Sequence, residues 1–117
     1  MATLYIDCDD TLVKWLDHSL GSRLSREEGV SWSVNKEVVA AAERWHAAGL
    51  GQIVVWSGGG RAYAEQWGHE LLSHLPHTAL FKNPRVVKVD DVVIDDVHFS
   101  VAGTMVAPDL SDTVAIP

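Results

Sequence analysis

Short apolar runs and helical-period stripes alternate along this chain. Residues 3–8 are rich in apolar side chains and read as a strand. Residues 11–32 keep no period, contain Gly21, Gly29 and several serines, and read as an excursion or flap spanning 11–33. Within it Trp15, Leu16 and Leu20 are expected to pack down on the body. Residues 34–48 form a predicted helix, because Val34, Val38, Ala41, Trp45 and Ala48 recur on one face, and Gly49 ends it as a left-handed cap. Residues 52–56, with Ile-Val-Val-Trp at the centre, predict a strand buried on both faces. Ser57-Gly58-Gly59-Gly60 is a turn. A second helix is expected over 61–75, with Ala64, Trp67 and Leu71 inward and Pro76 as its stop. Residues 78–81, 92–94 and 104–106 predict three further short strands, and 110–117 reads as a tail. The chain has no internal repeat and no low-complexity segment.

Strands alternating with helices imply an α/β fold with a mostly parallel sheet and right-handed crossovers. In such open sheets ligands gather beyond the carboxyl ends of the strands. Polar residues stand at those ends here. Asp7 and Asp9 follow the first strand, Ser57 follows the second, and Asp95 and Asp96 follow a later one. Separate strands thus deliver two carboxylate pairs and a hydroxyl beside a glycine turn to one edge.

Composition narrows the class. The 117 residues suit one domain with one core, and a hydrophobic content of 47% is enough to pack it. No apolar run is long enough to span a membrane, so no membrane partner is expected. The first residues read as a strand with no basic n-region, so no signal peptide is expected, and the single cysteine, Cys8, permits no intramolecular disulfide; both lead to an expected cytoplasmic location. A net charge of −7 disfavours a non-specific grip on nucleic acid. The six histidines lack the spacing of a zinc site, and surface positions account for them better. The five tryptophans fit packing better than stacking on a nucleobase: Trp45 and Trp67 on inner helix faces, Trp15 and Trp32 pinning the excursion, Trp56 close enough to Ser57 to line a pocket.

The densest chemical signal is Asp7-Cys8-Asp9-Asp10-Thr11-Leu12 at the end of the first strand. Clustered acids repel one another and lose solvation when packed, so they call for a cation, most simply a divalent metal. Together with Ser57 after Ile53-Val54-Val55-Trp56, then Lys88, then Ile94-Asp95-Asp96, the ordered set resembles the four motifs of the haloacid dehalogenase (HAD) superfamily of phosphotransferases. Asp10 stands where many relatives carry glycine.

The resemblance implies a three-layer Rossmann-like fold with helices on both faces and no substantial cap. It implies a Mg²⁺-dependent phosphatase working through an aspartyl phosphate. Asp7 is then the nucleophile, and Asp9 the acid that protonates the leaving group and later the base that activates water. Mg²⁺ falls to Asp7, the backbone carbonyl of Asp9 and the Asp95–Asp96 pair, with Asp96 favoured as the direct ligand and Asp95 as its support. Ser57, with the backbone N–H groups of Gly58 and Gly59, would hold phosphoryl oxygens, and a lysine would balance their charge. Spacing to Asp95 favours Lys88 for that lysine; Lys82, in Lys82-Asn83-Pro84, is its rival. Asp10 is expected to be a turn residue and Cys8 a small buried hydrophobe.

A minimally capped site is open and suits a large phosphorylated substrate, a macromolecule or a nucleotide, unless a second copy of the chain closes it. Arg61, Lys82, Arg85 and Lys88 could help to hold an anion. Two other readings compete with the enzyme. One is a catalytically silent HAD-like module that binds phosphate or a partner. The other is a receiver domain, although receivers phosphorylate an Asp at the end of a middle strand and here the second strand ends in Ser57.

Overall fold

The computed structural model describes residues 1–16, 31–110 and 116. Strand β1 (Ala2–Asp7) leads through a turn to β2 (Val13–Trp15). Then come β3 (Trp32–Val34), helix α1 (Lys36–Ala47), β4 (Gly51–Ser57), helix α2 (Arg61–Leu72), β5 (Thr78–Phe81), β6 (Val92–Ile94) and β7 (Thr104–Val106). Five strands form one sheet in the order β5-β4-β1-β6-β7, every neighbouring pair parallel. The fold is therefore α/β, as the alternation implies. β1 is central. The chain leaves it toward β4 and β5 on one side and returns to β6 and β7 on the other. The topological switch point thus lies at the carboxyl end of β1, where Asp7 stands.

Sequence explains both helix boundaries. The Asn35 side chain caps α1 by accepting from the Val38 N–H at 3.4 Å. At the other end the Gly49 N–H donates to the His46 carbonyl and the Leu50 N–H to the Trp45 carbonyl, with Gly49 at φ 64°. This pair of bonds is a Schellman motif, and glycine carries the left-handed turn without Cβ strain. The buried face of α1 is Val38, Ala41, Ala42 and Trp45; Val34 belongs to β3 and Ala48 is exposed, so the predicted stripe is two residues too long. Helix α2 buries Ala64, Trp67, Gly68 and Leu72, with Leu71 half-buried, and ends at Leu72 rather than Leu75.

The two faces of the sheet differ. Leu4, Ile6, Ile53, Val55, Val92 and Ile94 share one apolar cluster with the buried residues of both helices. Tyr5, Val54, Trp56 and Val93 form a second cluster, covered by Val87, Phe99, Val101 and Met105. Among the described residues both helices thus serve one face, and the other carries loops and a 3-10 turn at Pro84–Val86 in place of the expected helical layer. Phe99 and Val101 come from the β6–β7 connection, whose covering role no periodicity announces.

The expected excursion is partly ordered. β2 and β3 pair antiparallel, Val13 with Val34 and Trp15 with Trp32, and residues 17–30, with Leu20 among them, lie outside the described residues. Trp15 and Trp32 meet the Trp67 ring edge-on at 5.9 and 4.8 Å between centroids, so the ribbon is pinned to α2 as expected. Leu16 does not pack down; it is 61% exposed. Of the expected tail, Leu110 and Ile116 are buried in the main cluster, and residues 111–115 and 117 lie outside the described part.

Candidate active site

Register places the acids. Ile6 of β1 pairs with Ile94 of β6, so the next residues, Asp7 and Asp95, end adjacent parallel strands side by side. Alternation puts them on the Tyr5–Val93 face. Both are buried, and Asp96 beside them is exposed. One carboxylate oxygen from each of Asp7, Asp95 and Asp96 lies within 4.8 Å of the others. Thr11, fully buried, ties the group together. Its hydroxyl lies 3.3 Å from Asp7 Oδ2 and 3.3 Å from Asp96 Oδ1, and it accepts from the Asp96 N–H at 3.1 Å. The turn that brings Thr11 back is held by the Leu12 N–H on the Asp7 carbonyl and by the Thr11 and Val13 N–H groups on the Cys8 carbonyl. Asp10 occupies it at φ 60°, a turn residue as expected. Cys8 is buried in the core, and burial together with the charges of Asp7 and Asp9 holds its thiol well above the ordinary range.

The lysine beside these acids is Lys82. Its Nζ stands 2.5 Å from Asp95 Oδ2 and 3.4 Å from Asp7 Oδ1. It lies just beyond β5, its backbone N–H donating to the Ser57 carbonyl, and its ammonium sits 5.0 Å from the centre of the Phe99 ring. Lys88 is placed elsewhere, which corrects the choice made from spacing. It precedes β6 and is exposed at the amino edge of the sheet. There its N–H donates to Asp91 Oδ2, while Asp91 Oδ1 accepts from the Thr3 N–H at the start of β1. A residue before a parallel strand lies at the opposite edge from one after it. Spacing along the chain could not reveal that Lys82, six residues earlier in sequence, reaches the acids instead.

Electrostatics reflect the crowding. Burial first, and then the neighbouring Asp95 charge, push the Asp7 carboxyl up to about 8, although Lys82 pulls the other way. Burial likewise raises Asp95, against the hydrogen bonds from Lys82 and the Val97 N–H. Burial alone would lower Lys82, but its hydrogen bond to Asp95 and the Asp7 charge outweigh that and hold the ammonium charged. This is a concentration of negative charge that a single lysine leaves incompletely balanced.

Ser57 is buried one residue beyond Trp56, the partner of Asp7 in register. Its Oγ accepts from the Gly59 N–H at 2.9 Å, the local turn role that a serine before a helix can take. Gly58 and Gly59 form the turn into α2, which starts after Gly60 at φ 110° with no side-chain cap. Trp56 is fully buried and stacks on Tyr5 at 4.2 Å, so it lines no open pocket. The Asp9 side chain is held apart from the metal-type cluster. Its Oδ1 accepts from Tyr63 OH at 2.6 Å and from Trp15 Nε1 at 2.9 Å. Tyr63 has no place among the sequence candidates, because a contact across 54 positions leaves no local signature. Thr11 is legible only as part of the Asp-x-Asp-x-Thr run.

Among the histidines, His74 pairs with Glu43 at an exposed position and His77 bonds the Leu75 carbonyl; neither joins the acids. No helix among the described residues is long and apolar enough to cross a membrane. Compared with protein-family models, curated proteins and solved structures, the chain has no significant match in any of the three.

Proposed function

We propose that this chain is a Mg²⁺-dependent phosphoester hydrolase that works through an aspartyl phosphate on Asp7. The observation that carries the reading is the junction of Asp7, Asp95 and Asp96 at the switch point of a parallel sheet, with Lys82 bridging Asp7 and Asp95. The likeness of the ordered motifs to the HAD superfamily supports it, with Lys82 taking the place first given to Lys88.

The donor set fits a hard divalent cation. All three candidate ligands offer carboxylate oxygens, two of them buried, and burial first, then the Asp95 charge, raises Asp7 far above its ordinary value. Asp7 and Asp96, with Asp95 and the Asp9 carbonyl as further oxygens, are the residues that would hold it. Bound there, the ion would offset the phosphate charge and keep Asp7 ionised.

The remaining work belongs to the chain. Asp7 attacks phosphorus, and the bond to the leaving oxygen breaks as Asp9 gives that oxygen a proton. Asp9 then takes a proton from water as the water attacks, and the bond between phosphorus and Asp7 breaks to release phosphate. Lys82 neutralises charge growing on the phosphoryl oxygens. Ser57 and the uncapped N-terminus of α2 offer donors to the same oxygens. The open edge suits a phosphate carried on a macromolecule or a nucleotide.

The test is hydrolysis of a broad phosphoester panel with Mg²⁺ and with chelator, for the wild type and Asp7→Asn. The expected result is Mg²⁺-dependent turnover that falls by roughly 10³-fold or more in the variant, the scale of losing a nucleophile in such sites. No metal-dependent turnover on any substrate sinks the reading. A stable phosphoprotein formed from a small phosphodonor would favour a receiver role.

A further inference from the structure

We infer that Tyr63 and Trp15 are positioning residues that aim the Asp9 carboxyl, fixing Oδ2 as the oxygen that passes the proton. The inference rests on the hydrolase reading above and deepens it. Both donors meet the same atom. Tyr63 OH lies 2.6 Å and Trp15 Nε1 2.9 Å from Asp9 Oδ1. A carboxylate oxygen has two in-plane lone pairs, and two donors occupy both. Oδ1 is therefore engaged, and an exchangeable proton can be carried only on Oδ2.

The donors come from separate elements that one packing unit holds together. Tyr63 lies in the first turn of α2, and Trp15 ends β2. Each meets the Trp67 ring edge-on, at 6.5 and 5.9 Å between centroids. Trp32, opposite Trp15 in the ribbon, meets the same ring at 4.8 Å. Trp67 is wholly buried, so its ring is a fixed reference for both donors. The Asp9 side chain would otherwise be free to rotate on its half-buried turn. The two bonds select one orientation before substrate arrives, which is where a positioned acid gains over one that must search.

The reaction step concerned is balanced as follows. As Asp7 bonds to phosphorus, the bond from phosphorus to the leaving oxygen breaks, and that oxygen takes the Oδ2 proton, leaving aspartyl phosphate, a neutral alcohol or phenol, and the Asp9 carboxylate. In the second step Oδ2 takes a proton from the attacking water, and phosphate leaves Asp7. Tyr63 and Trp15 keep their own protons throughout.

A leaving-group comparison tests this. kcat/KM reports the steps through aspartyl-phosphate formation, and 4-nitrophenyl phosphate needs far less help from an acid than phenyl phosphate, because nitrophenolate is the better leaving group. With Mg²⁺ present, Tyr63→Phe should lower kcat/KM for phenyl phosphate about tenfold, part of the 10²–10⁴ that acid catalysis supplies. The nitrophenyl ester should change by no more than about twofold, since its transition state draws little on the acid. Trp15→Phe, which keeps a ring but loses the N–H, should show the same split. In an Asp9→Asn background, adding Tyr63→Phe should change nothing further. Equal loss on both esters, no loss on either, or an additive loss in the double variant overturns the positioning role while leaving the hydrolase reading intact. No metal-dependent turnover of these two esters or of any other member of the phosphoester panel overturns the hydrolase reading, and the positioning role with it.

Discussion

At the centre of the site, burying Asp7 makes a demand on the fold that its titration should expose. Asp7 in the folded, metal-free protein is held up at about 8, against an ordinary value of 3.8. Between those values the folded chain keeps a proton that the unfolded chain has released. Protonated Asp7 thus contributes stability that is complete below about 3.8 and is lost as pH rises through about 8. In chelator, the melting temperature of the wild type relative to Asp7→Asn should fall steadily across that window; a flat difference would show that Asp7 titrates normally. Lys82 and Lys88 offer the second contrast. Lys82→Met should reduce kcat/KM about 10²-fold, the scale of losing one charge-stabilising donor. Lys88→Met should stay within about twofold, as an exposed substitution away from the site. Steady-state kinetics on one phosphoester separates the two, and equal losses would contradict the geometry. The acids were legible as residues because they stand at or just past the ends of strands. Lys82 was legible only as a rival to Lys88; the choice between them depends on how far β5 lies from β1, a distance that chain spacing does not encode.

At the level of elements, the strands and helices of the main sheet were the readable ones. Residues 78–81, 92–94 and 104–106 form strands with the expected bounds, and the Gly49 cap stands where glycine after a helical stripe implies. β2 and β3 escaped notice because Val13-Lys14-Trp15 and Trp32-Ser33-Val34 flank a segment without pattern, and their pairing runs across it. The single-sided helical layer was equally hidden. A strand buried on both faces looks the same whether helices or loops cover it, and here Phe99 and Val101 do so from an irregular connection. The ribbon's attachment to α2 through Trp67 is the element-level feature with most bearing on function. Trp67→Ala should cost about 3–5 kcal/mol in denaturant unfolding, the range for emptying a large buried aromatic site. It should also release Trp15, seen as a change in tryptophan fluorescence. A loss under about 1 kcal/mol, the usual cost of a substitution away from such features, would mean that the ring does not hold the ribbon.

At the scale of the whole molecule, the proposed metal-dependent phosphoryl site sits at the switch point of the parallel sheet. A cation that binds only the folded chain must stabilise it. Mg²⁺ at a hundred times its dissociation constant should add about 2.7 kcal/mol to unfolding. Asp96→Ala should abolish the increment, because it removes the exposed member of the carboxylate triad. An increment unchanged in that variant would place the ion elsewhere. This readout needs no substrate and stands apart from turnover. The covalent intermediate is the most direct consequence of the claim. Wild-type protein mixed with Mg²⁺ and a hydrolysed aryl phosphate, quenched in acid during turnover and digested, should carry one phosphoryl group on the peptide containing Asp7, and Asp7→Asn should carry none. A phosphoryl group on another residue, or full turnover by Asp7→Asn with no phosphorylated peptide, would contradict the account.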